Sequence, residues 1–183
     1  MQKTKNIKII IGLFYLILLF IFLYLFFSKF TLEEITTYKF IQANREYLAN
    51  IKQTNTILLL FAFLIFTIIW VLILGFASPI LLAAGFIFGK WLGVLLAVGS
   101  LSIGATILYI FAGYFFKDLI KEKFLNKFKN LETKFKKNEF IFFLIYRFVG
   151  GIPFQIANLL PILFNVKRKN YFFGSFLGIM PQG

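Results

Sequence analysis

Residues 140–166 read FIFFLIYRFVGGIPFQIANLLPILFNV, and this stretch decides the fold. It is apolar except for one charge, Arg147, and three amides, Gln155, Asn158 and Asn165. Gly150-Gly151 and Pro153 break it in the middle, and Pro161 breaks it again. Proline lacks an N–H and clashes with the preceding turn, so one straight helix cannot run through. Broken backbone is tolerated at membrane depth only beside a cavity or inside protein. The pattern predicts a re-entrant helical hairpin, whose short pieces enter the bilayer and turn back.

Arg147 is the sharpest feature of that stretch. An arginine in hydrocarbon costs about 2.5 to 3.5 kcal/mol on insertion scales. It is tolerated where it faces protein interior, water or an anion. Snorkelling to the interface is the alternative, since the polar pair Asn138-Glu139 lies close before it. The broken backbone favours an interior place. Gln155 and Asn158 sit within the next turns, where they can bond the freed backbone groups. A half-helix starting after Pro153, with Arg147 nearby, suits a phosphate or carboxylate. The candidate substrate-binding residues are therefore Arg147, Gly150, Gly151, Pro153, Gln155 and Asn158.

A second broken segment lies upstream. No charge occurs from Thr54 to Gly89, and Thr56 to Phe76 is long enough to span. Ser78-Pro79 is expected to interrupt the helix, leaving Ile80 to Phe88 as a piece half a membrane thick. Pro79, Gly85, Gly89 and Lys90 mark this first hairpin. Trp91 to Phe116 is again uncharged and long enough to cross. Its Gly93, Gly99, Gly104 and Gly113, with Ser100, Ser102, Ala105 and Ala112, offer small faces for close helix packing or for lining a substrate path.

Outside these segments the chain reads as membrane-bound throughout. Lys3, Lys5 and Lys8 precede an uncharged run from Ile9 to Phe27, too long for a signal-peptide core and without a good cleavage site. It predicts a retained transmembrane helix. Thr31 to Gln53 is polar, with Thr31 and Glu34 fitting a capping box, and predicts a surface helix. Lys117 to Lys137 carries eight lysines beside a stripe at Ile120, Phe124, Phe128, Leu131 and Phe135, which predicts a basic interfacial helix. Both basic clusters favour the cytoplasm, and a single re-entrant hairpin between them would put them on opposite sides. Lys167-Arg168-Lys169 returns to the interface. The last apolar segment stops before it could span, so the C-terminal helix is expected to be incomplete. The chain divides into 1–53, an N-terminal transmembrane helix with an interfacial helix, and 54–183, a membrane domain.

Composition supports this reading. Of 183 residues 60% are hydrophobic, more than a soluble domain of this size can hide from water. Mean hydropathy is +0.86. The net charge is +13, and the basic residues lie between apolar spans. That placement favours membrane lipids with anionic head groups as partners, not nucleic acid. An AT-rich genome is a blander source of the many Phe and Lys residues. With no Cys and no His, disulfides, thiol nucleophiles and ordinary zinc sites are excluded. No cofactor or metal is expected, and a homo-oligomer is left open.

The run Arg147-x-x-Gly150-x-x-Pro153-Phe154-x-x-x-Asn158 resembles the Arg-x-x-Pro-x-x-Pro-Phe-x-x-x-Asn motif of DedA-like membrane proteins, also called the SNARE-associated Golgi protein family or VTT domain. Ala84-Gly85-Phe86-Ile87-Phe88-Gly89, with Gly93 and Gly104, resembles that family's glycine-rich first hairpin. The likeness covers roughly residues 57–183. It departs from the family pattern at Gly150, where proline is usual, and in the first hairpin, which lacks the membrane carboxylates of members nearest DedA. Proton coupling through such carboxylates is therefore not expected.

The resemblance implies an all-α integral membrane protein with two re-entrant helical hairpins in an inverted-repeat, transporter-like arrangement. Its expected place is a bacterial plasma membrane. It implies transport or scrambling of lipid, polyprenyl-phosphate carriers included. A membrane scaffold or assembly factor is the alternative. An intramembrane enzyme is not expected, because general acid–base work needs a poised His or carboxylate and the spans hold neither.

Overall fold

The computed structural model describes residues 55–118 without 74, residues 138–182 without 150 and 151, Glu122, and, between 10 and 28, residues 10–15, 17, 20, 21, 24, 25 and 28. Every regular element among them is helical. The described residues of the expected first transmembrane helix are helical too. The surface helix expected over 31–53, and nearly all of the one expected over 117–137, lie outside the described residues.

Helix α1 spans Thr56–Leu72. Asn55 starts it, its side chain accepting from Leu58 N at 3.4 Å. The chain bends after Ile73, where Gly75 N donates to the Trp70 carbonyl at 2.8 Å and the Trp70 indole N–H donates to the Phe76 carbonyl at 2.8 Å. A Cβ on Gly75 would run into that indole. The break therefore falls at 73–76, not at the expected Ser78-Pro79. Pro79 instead lies in the first turn of α2, which spans Ala77–Phe88. A proline is harmless there, because first-turn N–H groups have no partner within the helix.

Helix α2 has 12 residues, about 18 Å of rise. Gly89 ends it and starts α3, Lys90–Phe115. With φ 82° and ψ 175°, Gly89 holds a conformation that side-chain-bearing residues rarely adopt. Helix α3 has 26 residues, about 39 Å, and exceeds a bilayer core of about 30 Å. It is the one described helix long and apolar enough to cross. A Cβ on Gly93 would lie 2.5 Å from the Ala84 carbonyl oxygen, so α2 and α3 touch backbone to backbone.

Contacts give the directions. Phe63 of α1 meets Phe88 beside the start of α3, ring centroids 5.4 Å apart. Further along both helices, a Cβ on Gly104 would lie 3.0 Å from Val71 Cβ. Helices α1 and α3 therefore run parallel and pack directly on each other, and α2 returns against α3.

The second unit follows the same path. Helix α4 spans Glu139–Val149, and α5 spans Phe154–Leu159. The break expected at Pro161 takes the form of a tightening, in which the α-helix ends at Leu159 and a 3-10 turn runs over Leu160–Phe164. Helix α6 spans Arg168–Ile179 and ends in a 3-10 turn over Met180–Gln182. Glu139 Oε1 accepts from Lys167 N at 2.6 Å and from Asn170 Nδ2 at 2.9 Å, joining the starts of α4 and α6. Gly174 lies under Phe143, and Gly178 lies against the Arg147 stem. These contacts advance together, so α4 and α6 are parallel. The chain between them must climb back. Helix α5 and its 3-10 turn supply about 19 Å, against about 16 Å for α4.

Between the units, Tyr109 stacks on Tyr171 at 4.3 Å and Gly99 approaches Phe176. One residue number rises as the other falls, so α3 and α6 are antiparallel. The core lies along α3, where Ala97, Val98, Leu101, Ala105 and Leu108 are buried. Outward positions of α1 are equally apolar, with Ile57, Leu58, Phe61, Ile65, Phe66 and Ile69 exposed. A continuous apolar exterior suits lipid as its solvent.

Candidate functional site

The site forms where α4, α5 and α6 meet. Arg147 stands in the last turn of α4, and its long side chain is buried, 4% exposed. Side chains on a helix lean toward its N-terminus, which carries the guanidinium back beside Phe143. There Nη2 donates to Asn158 Oδ1 at 2.7 Å and to the Tyr171 hydroxyl oxygen at 2.9 Å. The Tyr171 hydroxyl in turn donates to the Asn158 carbonyl at 3.1 Å. Three rings surround the cation, Phe143 at 5.4 Å, Tyr171 at 5.5 Å and Phe154 at 5.8 Å. Each such contact contributes about 0.5 to 2 kcal/mol, rising as water is removed. Charge, two polar partners and three ring faces thus fill one compartment.

Tyr171 is the hinge of this arrangement. It is fully buried and lies between two rings, Tyr109 at 4.3 Å and Phe143 at 5.0 Å. Tyr109 is fixed from the other side, donating to the Val166 carbonyl at 2.7 Å. The stack Tyr109–Tyr171–Phe143 therefore joins α3, α6 and α4. Glu139, the acidic residue of α4, lies two turns before Arg147 and is engaged with Lys167 N and Asn170.

Of the residues expected at the site, Arg147 and Asn158 meet directly. Asn158 binds the guanidinium, whereas the sequence pattern suggested it would bond freed backbone. Gln155 is half-buried on α5 and Pro153 is exposed at its start, and neither takes part in the hydrogen bonds around Arg147. Gly150 and Gly151 lie outside the described residues. Pro79, Gly85, Gly89 and Lys90 belong to the α2–α3 hairpin and contribute none of the contacts described around Arg147. Lys90 is exposed, its ammonium 5.4 Å from the Trp91 ring. Among the described residues no group of metal-ligating side chains is present.

Tyr171, Phe143 and Gly178 were not anticipated, and Phe154 stood in the Arg147–Asn158 motif without an expected role. A readable sign existed for part of this. Tyr171, Gly174 and Gly178 share one helical face, and Gly174-x-x-x-Gly178 is a close-packing pattern. Phe143 had no such sign, since Phe occurs 28 times in the chain.

An open groove of about 640 Å³ lies beside the site. It runs between the second half of α3 and the 162–168 turn, and Tyr109 forms part of its wall. Arg147 does not line it.

Residues 75–183 match the VTT domain. The uncharacterized protein YqeD of Bacillus subtilis (strain 168) is 28% identical over 100 residues, which cover 54% of this chain and 48% of YqeD. The matched part is thus about half the length of that relative. No solved structure matches.

Proposed function

The chain belongs to the VTT domain family, and from that premise we propose that it is a transporter or translocase for an anionic lipid, a polyprenyl-phosphate carrier included, in a bacterial plasma membrane. The observation that carries this reading is the buried Arg147 guanidinium, held by Asn158 and Tyr171 within a ring of aromatic faces. A cation at membrane depth that costs about 2.5 to 3.5 kcal/mol to insert is retained for an interaction worth more than that. A phosphate supplies one, because guanidinium and phosphate oxygens pair in a planar, two-bond geometry. Asn158 and Tyr171 hold the donor ready and yield to an incoming oxyanion. Transport of this kind makes and breaks no covalent bond.

The chain path supports an alternating-access scheme. Each unit has a helix, a short returning segment and a second helix parallel to the first, and α3 and α6 run in opposite directions. We read α2 with its flanking bend, and α4 with α5, as two re-entrant hairpins of an inverted pair. Arg147 lies where the second hairpin meets α6.

The test is transport in liposomes by the purified full-length chain. Replacing Arg147 with Met keeps an apolar stem of similar length and is expected to abolish head-group transport. Insertion should persist, and stability should fall by about 1 to 3 kcal/mol because Asn158 Oδ1 loses its donor, so folding is measured beside transport. Unchanged transport by Arg147→Met would remove the proposal. A membrane scaffold is the second reading, favoured by Gly85 and Gly113, around which a Cβ meets open space. Crosslinking to one constant protein partner through those glycines, with no lipid movement in liposomes, would establish it.

A further inference from the structure

We propose that the groove beside α3 is a separate binding site for a membrane lipid with a phosphate head group, at the lateral entrance to the Arg147 compartment. Its walls are apolar at one end and cationic at the other. Ile107, Ile110, Phe111 and Tyr114 recur at helical spacing along α3 and form the apolar wall, with Ile162 and Val166 opposite. Lys117, Lys167 and Arg168 close one end. From Ile107 to Phe115 the helix rises about 12 Å, most of one leaflet of a bilayer core of about 30 Å, and Lys117 stands just past its end. A lipid chain lying along this wall would bring its head group to the three cations. A free phosphate would have no use for the apolar wall, and a neutral head group none for the cations.

Nearby acidic groups do not cancel that end. Glu139 Oε1 is taken up by Lys167 N and Asn170. Asp118 follows Lys117 and is exposed, so three cations face two carboxylates, Glu139 and Asp118, and the end keeps a net charge of one positive. Lys167 meets Glu139 through its backbone, so its side chain is not used in that contact. Tyr109 connects the groove to the buried site, because it lines the groove and stacks on Tyr171, which accepts from Arg147. The inference deepens the transport reading by naming an entrance and rests on that reading only for the direction of traffic.

The experiment uses the full-length protein in phosphatidylcholine nanodiscs with phosphatidic acid carrying a photoactivatable acyl chain. Crosslinks are expected in 107–115 and 162–166. Lys117→Ala, Lys167→Ala and Arg168→Ala combined should lower labelling roughly 10-fold or more, since each cation near an anionic head group contributes about 1 kcal/mol. Lys167 and Arg168 are exposed and Lys117 half-exposed, so folding should persist. Ile110→Trp provides a second variant, which fills the groove and should lower labelling without touching a charge. Equal labelling by a phosphatidylcholine probe, full displacement by inorganic phosphate, or crosslinks confined to other segments would each overturn the site. Arg147→Met separates the two readings. Groove labelling that persists while transport is lost supports both, and loss of labelling only in the groove variants with transport intact leaves the groove off the transport path.

Discussion

The two units of this chain, residues 56–115 and 139–179, each pack two parallel helices together, with different fillings. In the first, α2 and α3 meet through backbone, with Gly93 set against the Ala84 carbonyl and Gly89 making the turn alone. Its buried polar side chains are hydroxyls, Thr67, Ser100 and Ser102. In the second, glycines again bring helices close, at 174 and 178, but the space between them holds a guanidinium, a carboxamide and a phenol. The comparison teaches that close packing and polar content are separable. Small residues bring the helices together in both units, and only the second unit buries a guanidinium.

Four substitutions test that separation, in descending order of expected effect. Gly93→Leu should do most, because its Cβ would face rigid backbone at 2.5 Å. A loss of about 3 kcal/mol or more is expected, read from denaturation in bicelles, and tolerance of leucine would mean that the first unit is not backbone-packed. Gly178→Ala presses on the Arg147 stem and should cost about 2 kcal/mol in the same assay. It should also slow transport, since α6 carries Tyr171. Tyr171→Phe keeps all three ring contacts and removes only the hydroxyl between Arg147 and Asn158. Membrane hydrogen bonds average about 0.6 kcal/mol, so stability should fall by no more than about 1 kcal/mol while transport drops further. Equal loss of both would make the phenol a packing element only. Gly85→Ala meets open space and should change stability by less than about 0.5 kcal/mol, or raise it toward the 1 kcal/mol or so that alanine gains over glycine within a helix.

Parts of this were legible from the sequence because they depend on near neighbours. A half-length piece ending at Gly89 and a long helix after it follow from hydropathy and glycine spacing, and α3 begins one residue before the expected Trp91. Arg147 and Asn158 stand 11 residues apart in one broken segment, which marks both as candidates but not as partners of each other. Tyr171 lies 24 residues from Arg147, and no local rule brings the two together. Only the parallel return of α6 does so. Pro79 was misplaced for a different reason. Proline forbids a helix interior but suits a helix start, and the sequence alone did not show that Gly75 and Trp70 had already ended the previous helix.

Gly89 carries one more consequence. A single residue is both the end of α2 and the beginning of α3, so the joint holds no spare chain. Such an elbow permits rotation and forbids sliding or lengthening. The 12 residues of α2 form an arm about 18 Å long, so a change of about 10° at the glycine would displace the Phe76 end by roughly 3 Å.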